Sequence, residues 1–395
     1  MTTKRTAAAT SAPSARLLGG MKDVAPTVWD ALANPSGHRF NPFVAHAFLS
    51  ALEESGSATA SAGWQPTHIV VEQAGQTIAA APMYVKNHSY GEYVFDHGWA
   101  QAFERAGGEY YPKLQVTVPF TPATGPRLLT GGSAAAREPL ARAMMAFAQK
   151  LEVSSLHITF APQDETEALA PLGFLQRHDQ QFHWRNEGYG SFDEFLGALS
   201  SIKRKNLRRE RAEALKAGIE VEWLTGSALT EAHWDAFFAF YMDTGSRKRG
   251  SPYLTRSFFS LISQHMADRT LLIMAKRNGR YIAGALNFIG SDTLYGRNWG
   301  ALEHHPFLHF EICYYQAIDF AIQNKLSVVE AGAQGAHKLA RGYLPIRTHS
   351  AHWIAHPGLR DAVARYLNEE RRAVGEEIEA MAEHAPFKKE TSDGL

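Results

Sequence analysis

The sequence has one cysteine, Cys313, in 395 residues. An internal disulfide is excluded, and a reducing compartment fits. There is no charge imbalance either: 40 basic side chains meet 40 acidic ones. Any attraction to nucleic acid or to an anionic surface must therefore come from a local patch. No apolar run approaches the roughly 18 residues of a membrane span. The first twenty residues, MTTKRTAAATSAPSARLLGG, lack the apolar core of a secretory signal. Their Ala, Ser and Thr content predicts a disordered tail over residues 1–24, and the chain reads as cytoplasmic. No set of His and Cys has diagnostic ligand spacing, so no metal is expected.

What is present is a globular composition, 45% hydrophobic with 20% charged, and a length that accommodates two cores. The order of periodic segments repeats. After helical pieces in residues 27–55, strand-like runs at 68–73 and 76–85 flank Ala74-Gly75, and a third, aromatic-rich run covers 92–96. A helix follows with Leu140, Met144, Phe147 and Leu151 on one face, then a strand at 156–160, a short helix at 165–172 and a strand near 181–184. The second half has runs at 270–277 and 281–288 around Asn278-Gly279, a hairpin turn signal, and a third run at 293–299. A helix with Ile312, Tyr315, Ile318 and Ile322 follows, then a strand ending at Glu330, a short helix at 336–341 and a strand at 349–355. The repetition predicts an α/β fold of tandem mixed-sheet domains with flanking helices, at 25–187 and 188–383, before a polar tail at 384–395. Residues 192–217 and 233–267 read as helical introductions to the second unit, and 359–381 as a closing helix.

The chemistry concentrates in SVVEAGAQGAHKLARGY, residues 327–343. A strand ends on Glu330, small residues let a ligand approach the backbone, and Gln334, His337, Lys338 and Arg341 follow. This layout fits an α/β site for an anionic substrate, with Glu330 as general base or amine binder and Lys338 as a catalytic cation. A strand-to-helix turn with solvated charges is the structural alternative. NWGALEHHPFLHFE (298–311) supplies Trp299, the acid Glu303, His304, His305 and His309, directly after Arg297, and reads as a substrate loop. His305 and His309 also have the spacing of a metal pair, but Pro306 opposes one continuous helix carrying both. In the first half Lys86, His88, Tyr93, Asp96 and Trp99 crowd together, and Lys113, Thr121, Thr124 and Arg127 follow in a proline-broken segment. They line a site or decorate a core hairpin. SIKRKNLRRERAEALK (201–216) is strongly basic and faces either solvent or an anionic partner: a nucleotide diphosphate, tRNA or a membrane surface.

Four phrases carry a family resemblance: HSYGEYVFDHGWA (88–100), YYPKLQVTVPFTPATGPRLL (110–129), NWGALEHHPFLHFEICYYQAIDFAI (298–322) and EAGAQGAHKLARGYLP (330–345). They resemble the FemAB-like group of N-acyltransferases, linked by name to peptidoglycan biosynthesis, and the element order resembles the GNAT fold used twice. The resemblance implies transfer of an acyl or aminoacyl group to a small-molecule amine, from acyl-CoA or aminoacyl-tRNA as donor. Fem ligases have a strand ending in an acid and glycines, then Lys-x-x-(Gly)-Phe; Glu330, Gly332, Lys338, Gly342 and Tyr343 match, with Tyr for Phe. No long helical hairpin arm is present. GGSAAA (131–136) stands where coenzyme A–binding members have their glycine loop, without the preceding cation. The expected function is N-acyl transfer; the alternative is a non-catalytic protein that binds an anionic cell-wall or lipid precursor.

Overall fold

A computed structural model describes residues 12–247, 252–332 and 335–388. Its strands are β1 (Ser14–Leu18), β2 (Trp64–Pro66), β3 (His68–Gln73), β4 (Gln76–Ala81), β5 (Met83–Lys86), β6 (Lys113–Val116), β7 (Ser155–Ala161), β8 (Leu175–Arg185), β9 (Ile219–Thr225), β10 (Thr270–Arg277), β11 (Arg280–Ile289), β12 (Thr293–Ala301), β13 (Val328–Glu330) and β14 (Leu344–Ile354). The helices are α1 (Pro26–Ala33), α2 (His46–Glu54), α3 (His97–Arg105), α4 (Arg137–Lys150), α5 (Gln163–Leu169), α6 (Phe192–Ala198), α7 (Ser201–Leu215), α8 (Glu231–Arg247), α9 (Arg256–Met266), α10 (Leu308–Phe310), α11 (Gln316–Gln323) and α12 (Pro357–Glu383). A π-helical turn, Glu311–Tyr315, joins α10 to α11.

Both expected hairpins form. Asn278 (φ 52°) and Gly279 (φ 72°) turn β10 into β11, and Ala74 (φ 50°) and Gly75 (φ 78°) turn β3 into β4. Two successive positive φ values match the right-handed twist of the strands they join. Thr67 and Pro82 then bend the first hairpin, so its inner parts, β2 and β5, enter a second sheet.

That second sheet has eleven strands in the order β2-β5-β6-β7-β14-β8-β13-β12-β11-β10-β9; β1, β3 and β4 form the smaller one. The centre is a strand exchange. β14, from the second half, lies between β7 and β8 of the first, and β8 lies between β14 and β13. Their antiparallel register runs from Leu344↔His183 to His352↔Leu175. The expected boundary at residue 188 is thus crossed by a continuous hydrogen-bonded ladder.

Three expectations are corrected. The tail is ordered before residue 24, because β1 pairs with β3 (Ser14↔Glu72) and Leu18 and Met21 are buried; residues 1–11 lie outside the described ones. Residues 92–96 are not a strand: Gly91 (φ 82°) and Tyr93 (φ 63°) break the extended backbone before α3. At the other end, Phe387 bridges Leu199, and the Lys388 N–H reaches Ala198 O, so the polar tail is anchored there.

Helix α2 and the 3-10 turn before it (Pro42–Val44) pack across the halves. Phe43 meets Phe288 and Tyr295 edge-on at 5.4 and 5.0 Å, and Phe48 meets Phe258 at 5.8 Å. Each fully buried ring stabilises by roughly 1.5–3 kcal/mol, so this aromatic cluster is a substantial part of what holds the halves together.

Candidate active site

β12 and β13 pair in parallel only from Thr293↔Val328 to Tyr295↔Glu330. β12 continues to Ala301, whereas the chain leaves β13 and turns at Gly332 (φ 78°). A cavity of about 100 Å³ opens in the gap, lined by Gly296, Arg297, Trp299, His309, Cys313 and Tyr314 among others. Gly296 permits the parting geometry: a Cβ there would lie 3.2 Å from the Glu330 carbonyl oxygen. Between β11 and β12 the register slips from Leu286↔Asn298 to Asn287↔Gly296, leaving Arg297 as the extra residue of a bulge. Its guanidinium donates to Phe120 O at 2.6 Å. The π-helical turn presents Cys313 and Tyr314 to the cavity, a use to which such turns are often put.

Tyr295, Glu330 and His183 form one row across β12, β13 and β8. Glu330 is buried, with Oε1 3.7 Å from His183 Nε2. Burial pushes its carboxyl up to about 8, against the opposing pull of Arg297 and Arg127. Burial, with Arg185 and Lys338 nearby, holds His183 down at about 3. At neutral pH the contact is therefore between two largely neutral groups, not an ion pair. A carboxyl that titrates near the working pH is suited to accept a proton from an amine.

Lys338 and Arg341 rise from a 3-10 turn, Ala336–Arg341, set between Gly335 (φ 112°) and Gly342 (φ 88°). Both are buried. Lys338 Nζ donates to Gly332 O at 2.8 Å, and burial lowers the ammonium to about 8. Arg341 stacks 3.4 Å over Phe310 and donates to His337 O at 2.7 Å and Glu210 at 2.8 Å. Gln334 lies outside the described residues.

A second cleft, about 440 Å³, shares Trp299 and His309 with the first and adds Arg247, Glu303, His304 and His305. Trp299 and His309 meet at 5.2 Å between the two spaces. Glu303 bonds His305 at 2.9 Å and Arg277 at 2.8 Å, and these contacts, His305 first, lower its carboxyl. It stands at the cleft as a paired carboxylate, unlike Glu330.

The first-half candidates divide. Tyr93 lies within electrostatic reach of Arg297. Arg127 influences Glu330, but its guanidinium is held by Thr159 O, Gly125 O and Ala123 O at 2.8–3.0 Å. β6 and β7 form the matching parallel pair, Leu114↔Leu156 to Val116↔Ile158, and the Arg127 guanidinium donates to Thr159 O, one residue beyond it. Lys86 and Asp96 belong instead to a sealed ionic cluster. Lys113 donates to Ser89 (2.8 Å), Glu92 (2.7 Å) and Asp96, while Lys86 sits 3.5 Å over Trp64. His88 lies against Gly63 and contacts Tyr90, away from both clefts.

The basic helix α7 packs beside the site through charges. Arg211 bonds Glu311 at 2.9 Å and Asp319 at 2.8 Å, and Glu210 accepts from Arg341. Lys205, Arg208 and Arg209 remain exposed. His183, Tyr295, Cys313 and Tyr314 were not among the sequence candidates; His183 becomes one only through the register of β8 with β13.

Two parallel strand pairs of matching topology, one parted beside a helix start, and linked by exchanged strands define a tandem GNAT fold. The chain belongs to the FemAB-like family, whose model, described as peptidoglycan biosynthesis/recognition, matches residues 20–389. Among solved structures, FemX is similar at 13% identity and TM-score 0.52, over 79% of this chain and 93% of that one. L-PGS from Bacillus licheniformis is similar at 9% identity and TM-score 0.50, over 84% and 98%. A tandem GNAT protein from the clavulanic acid biosynthesis pathway aligns at 12% identity and TM-score 0.46, over 88% and 99%. At these identities the likeness is one of fold alone. No curated protein matches the sequence. Among the described residues no helix is long and apolar enough to cross a membrane.

Proposed function

We propose that this FemAB-like protein is an N-acyltransferase with its reaction centre where β12 and β13 part. The observation that carries the reading is Glu330: a buried carboxyl at the last residue of β13, where the strands part, pushed up by burial to about 8. An acceptor amine attacks the carbonyl of a thioester or ester donor. Glu330, as carboxylate, takes the amine proton while the C–N bond forms. The C–S or C–O bond then breaks, and the leaving thiolate or alkoxide takes the proton that Glu330 accepted, which regenerates the carboxylate. Arg297 and Lys338 supply positive charge for the developing oxyanion. The wider cleft, with Arg247, His304 and His305, receives the anionic part of the donor, acyl-CoA or aminoacyl-tRNA. The exposed cations of α7 extend that surface. The family description favours a cell-wall precursor amine as acceptor. The two units, 25–187 and 188–383, then differ in role, the cavity lying beside the parallel pair of the second.

The test is mass spectrometry of cell-wall precursor amines incubated with the protein and either acyl-CoA or aminoacyl-tRNA. An acyl mass increment that disappears in Glu330→Gln supports the reading. Tight precursor binding without an increment from either donor favours the non-catalytic alternative.

A further inference from the structure

The opposite face of the central sheet carries another cleft, of about 390 Å³, where α5, β8, β14 and α12 meet. His178 on β8 and His349 on β14 are register partners, with ring centroids 4.9 Å apart. Arg347, two residues earlier on β14, and Arg371, on α12, line the same space. His178 and His183 are five residues apart on a strand with unbroken register, so they point to opposite faces. The cleft is therefore separate from the centre at Glu330.

Its charges are unbalanced. Arg347 makes no hydrogen bond or ion pair with the described residues, and Arg371 donates only to neutral oxygens, Gln176 O and Asn368 Oδ1. Neither histidine has a hydrogen-bond partner among the described residues. The lining acid is Glu167, which accepts from Gln163 at 2.7 Å and acts on His349, and two arginines face this one carboxylate. Burial first, then His349, Arg347 and Arg371, hold His178 down at about 4. Phe174, Leu175, Ala364 and Leu367 form the apolar part of the remaining wall, and Gln163, Thr166, Gln176 and Asn368 its polar part.

We propose that this cleft binds the phosphate of a small organic phosphate, between Arg347 and Arg371, with the organic part against Phe174 and Leu367. The free fork of Arg347, the N–H groups that Arg371 has left over from Gln176 O and Asn368 Oδ1, and two imidazoles, approaching from different elements, match a tetrahedral dianion; a planar carboxylate is satisfied by a single fork. The cavity volume fits a small ligand rather than a polymer.

Isothermal titration of the full chain with phenyl phosphate and with inorganic phosphate, at fixed ionic strength, tests this. One phenyl phosphate per chain is expected, bound more tightly than inorganic phosphate. Arg347→Gln should weaken it about tenfold and Arg347→Glu should abolish it. Because the Arg347 side chain bonds none of the described residues, both variants should keep the wild-type circular dichroism and melting temperature. Absence of saturable binding to the wild type, an Arg347→Glu isotherm that superposes on it, or equal affinity for the two phosphates would overturn the proposal.

Discussion

His183 of β8 and Glu330 of β13 face each other in register across the seam between the halves, Nε2 3.7 Å from Oε1. One comes from each half, and each is pushed toward its neutral form by burial. Among the described residues the carboxyl's ion-pair contact is His183, itself held neutral by burial, while Arg297 and Arg127 act on it from farther away. A carboxyl so placed is not permanently ionised, which the proposed role of base requires. Acyl transfer should accordingly rise with pH through about 8, as Glu330 loses its proton. Glu330→Gln should lower the rate at least about a hundredfold and remove that limb. Single-turnover rates between pH 6 and 9 measure both.

The same carboxyl makes a stability prediction. The folded chain holds the Glu330 proton up to about pH 8, whereas the unfolded chain releases it near 4.5. Between those values the folded state binds more protons, so this group's contribution to stability falls as pH rises. Glu330→Gln removes the fall. Glu92 and Glu165, both pushed up to about 7 by burial, act in the same direction in both proteins and cancel from the comparison. Urea unfolding at pH 5 and 9 should show the variant gaining on wild type by about 4 kcal/mol. Parallel pH profiles would mean that Glu330 is ionised in the fold.

Lys338 is buried and bonded to Gly332 O, so its replacement touches structure as well as rate. Lys338→Ala should cost about 1–3 kcal/mol of stability and about a hundredfold in acyl transfer. Lys338→Arg keeps the charge but not the compact ammonium. If the ammonium acts on the developing oxyanion, Lys338→Arg recovers stability more fully than rate. Equal recovery of both would assign Lys338 to loop structure alone. Thermal melts and single-turnover rates decide between them.

The hairpins and most helices were legible because their signals are local: paired turns, i/i+4 apolar faces and alternating strands. The strand end at Glu330 and the glycine-flanked turn that carries Lys338 were legible for the same reason. What was hidden depends on partners distant in sequence. Nothing in QFHW marks His183 until β8 is placed beside β13. Lys86 and Asp96 read as ligand contacts because sequence does not reveal that Lys113, Glu92 and Ser89 close around them. Ile219-Glu-Val-Glu-Trp, now in β9, alternates as an edge strand should, yet follows a helix so charged that the change of period is easily missed.

Helix α7 separates two kinds of arginine. Arg211 neutralises Glu311, which is wholly buried, so Arg211→Ala should cost about 3–5 kcal/mol by stranding that carboxylate. Arg208 and Arg209 are exposed, and Arg208 pairs only with the exposed Asp193. Changing Arg204, Arg208 and Arg209 together to Gln should shift stability by less than about 1 kcal/mol. It should also weaken binding of an anionic donor and flatten its salt dependence. Denaturant unfolding and donor titrations at two salt concentrations distinguish the two sets. An unchanged salt slope would leave α7 as a solvated face.

The strand exchange makes the halves interdependent for folding. Without residues beyond 188, β7 loses its neighbour β14, and β8 loses both β14 and β13. Two long strands with buried residues are then left with open edges, a state that favours aggregation. The aromatic contacts of Phe43 and Phe48 with Phe288, Tyr295 and Phe258 disappear as well. The second half alone lacks β8 between β13 and β14, and with it His183 opposite Glu330. Residues 1–188 and 189–395 expressed separately should therefore be insoluble or unfolded, whereas co-expression should restore one soluble 1:1 complex. Amide exchange on that complex should protect β8 and β14 most strongly, since each is paired on both sides. A folded, monomeric first half with a protected β8 would show that the exchange is dispensable, and the two units would then be independent domains.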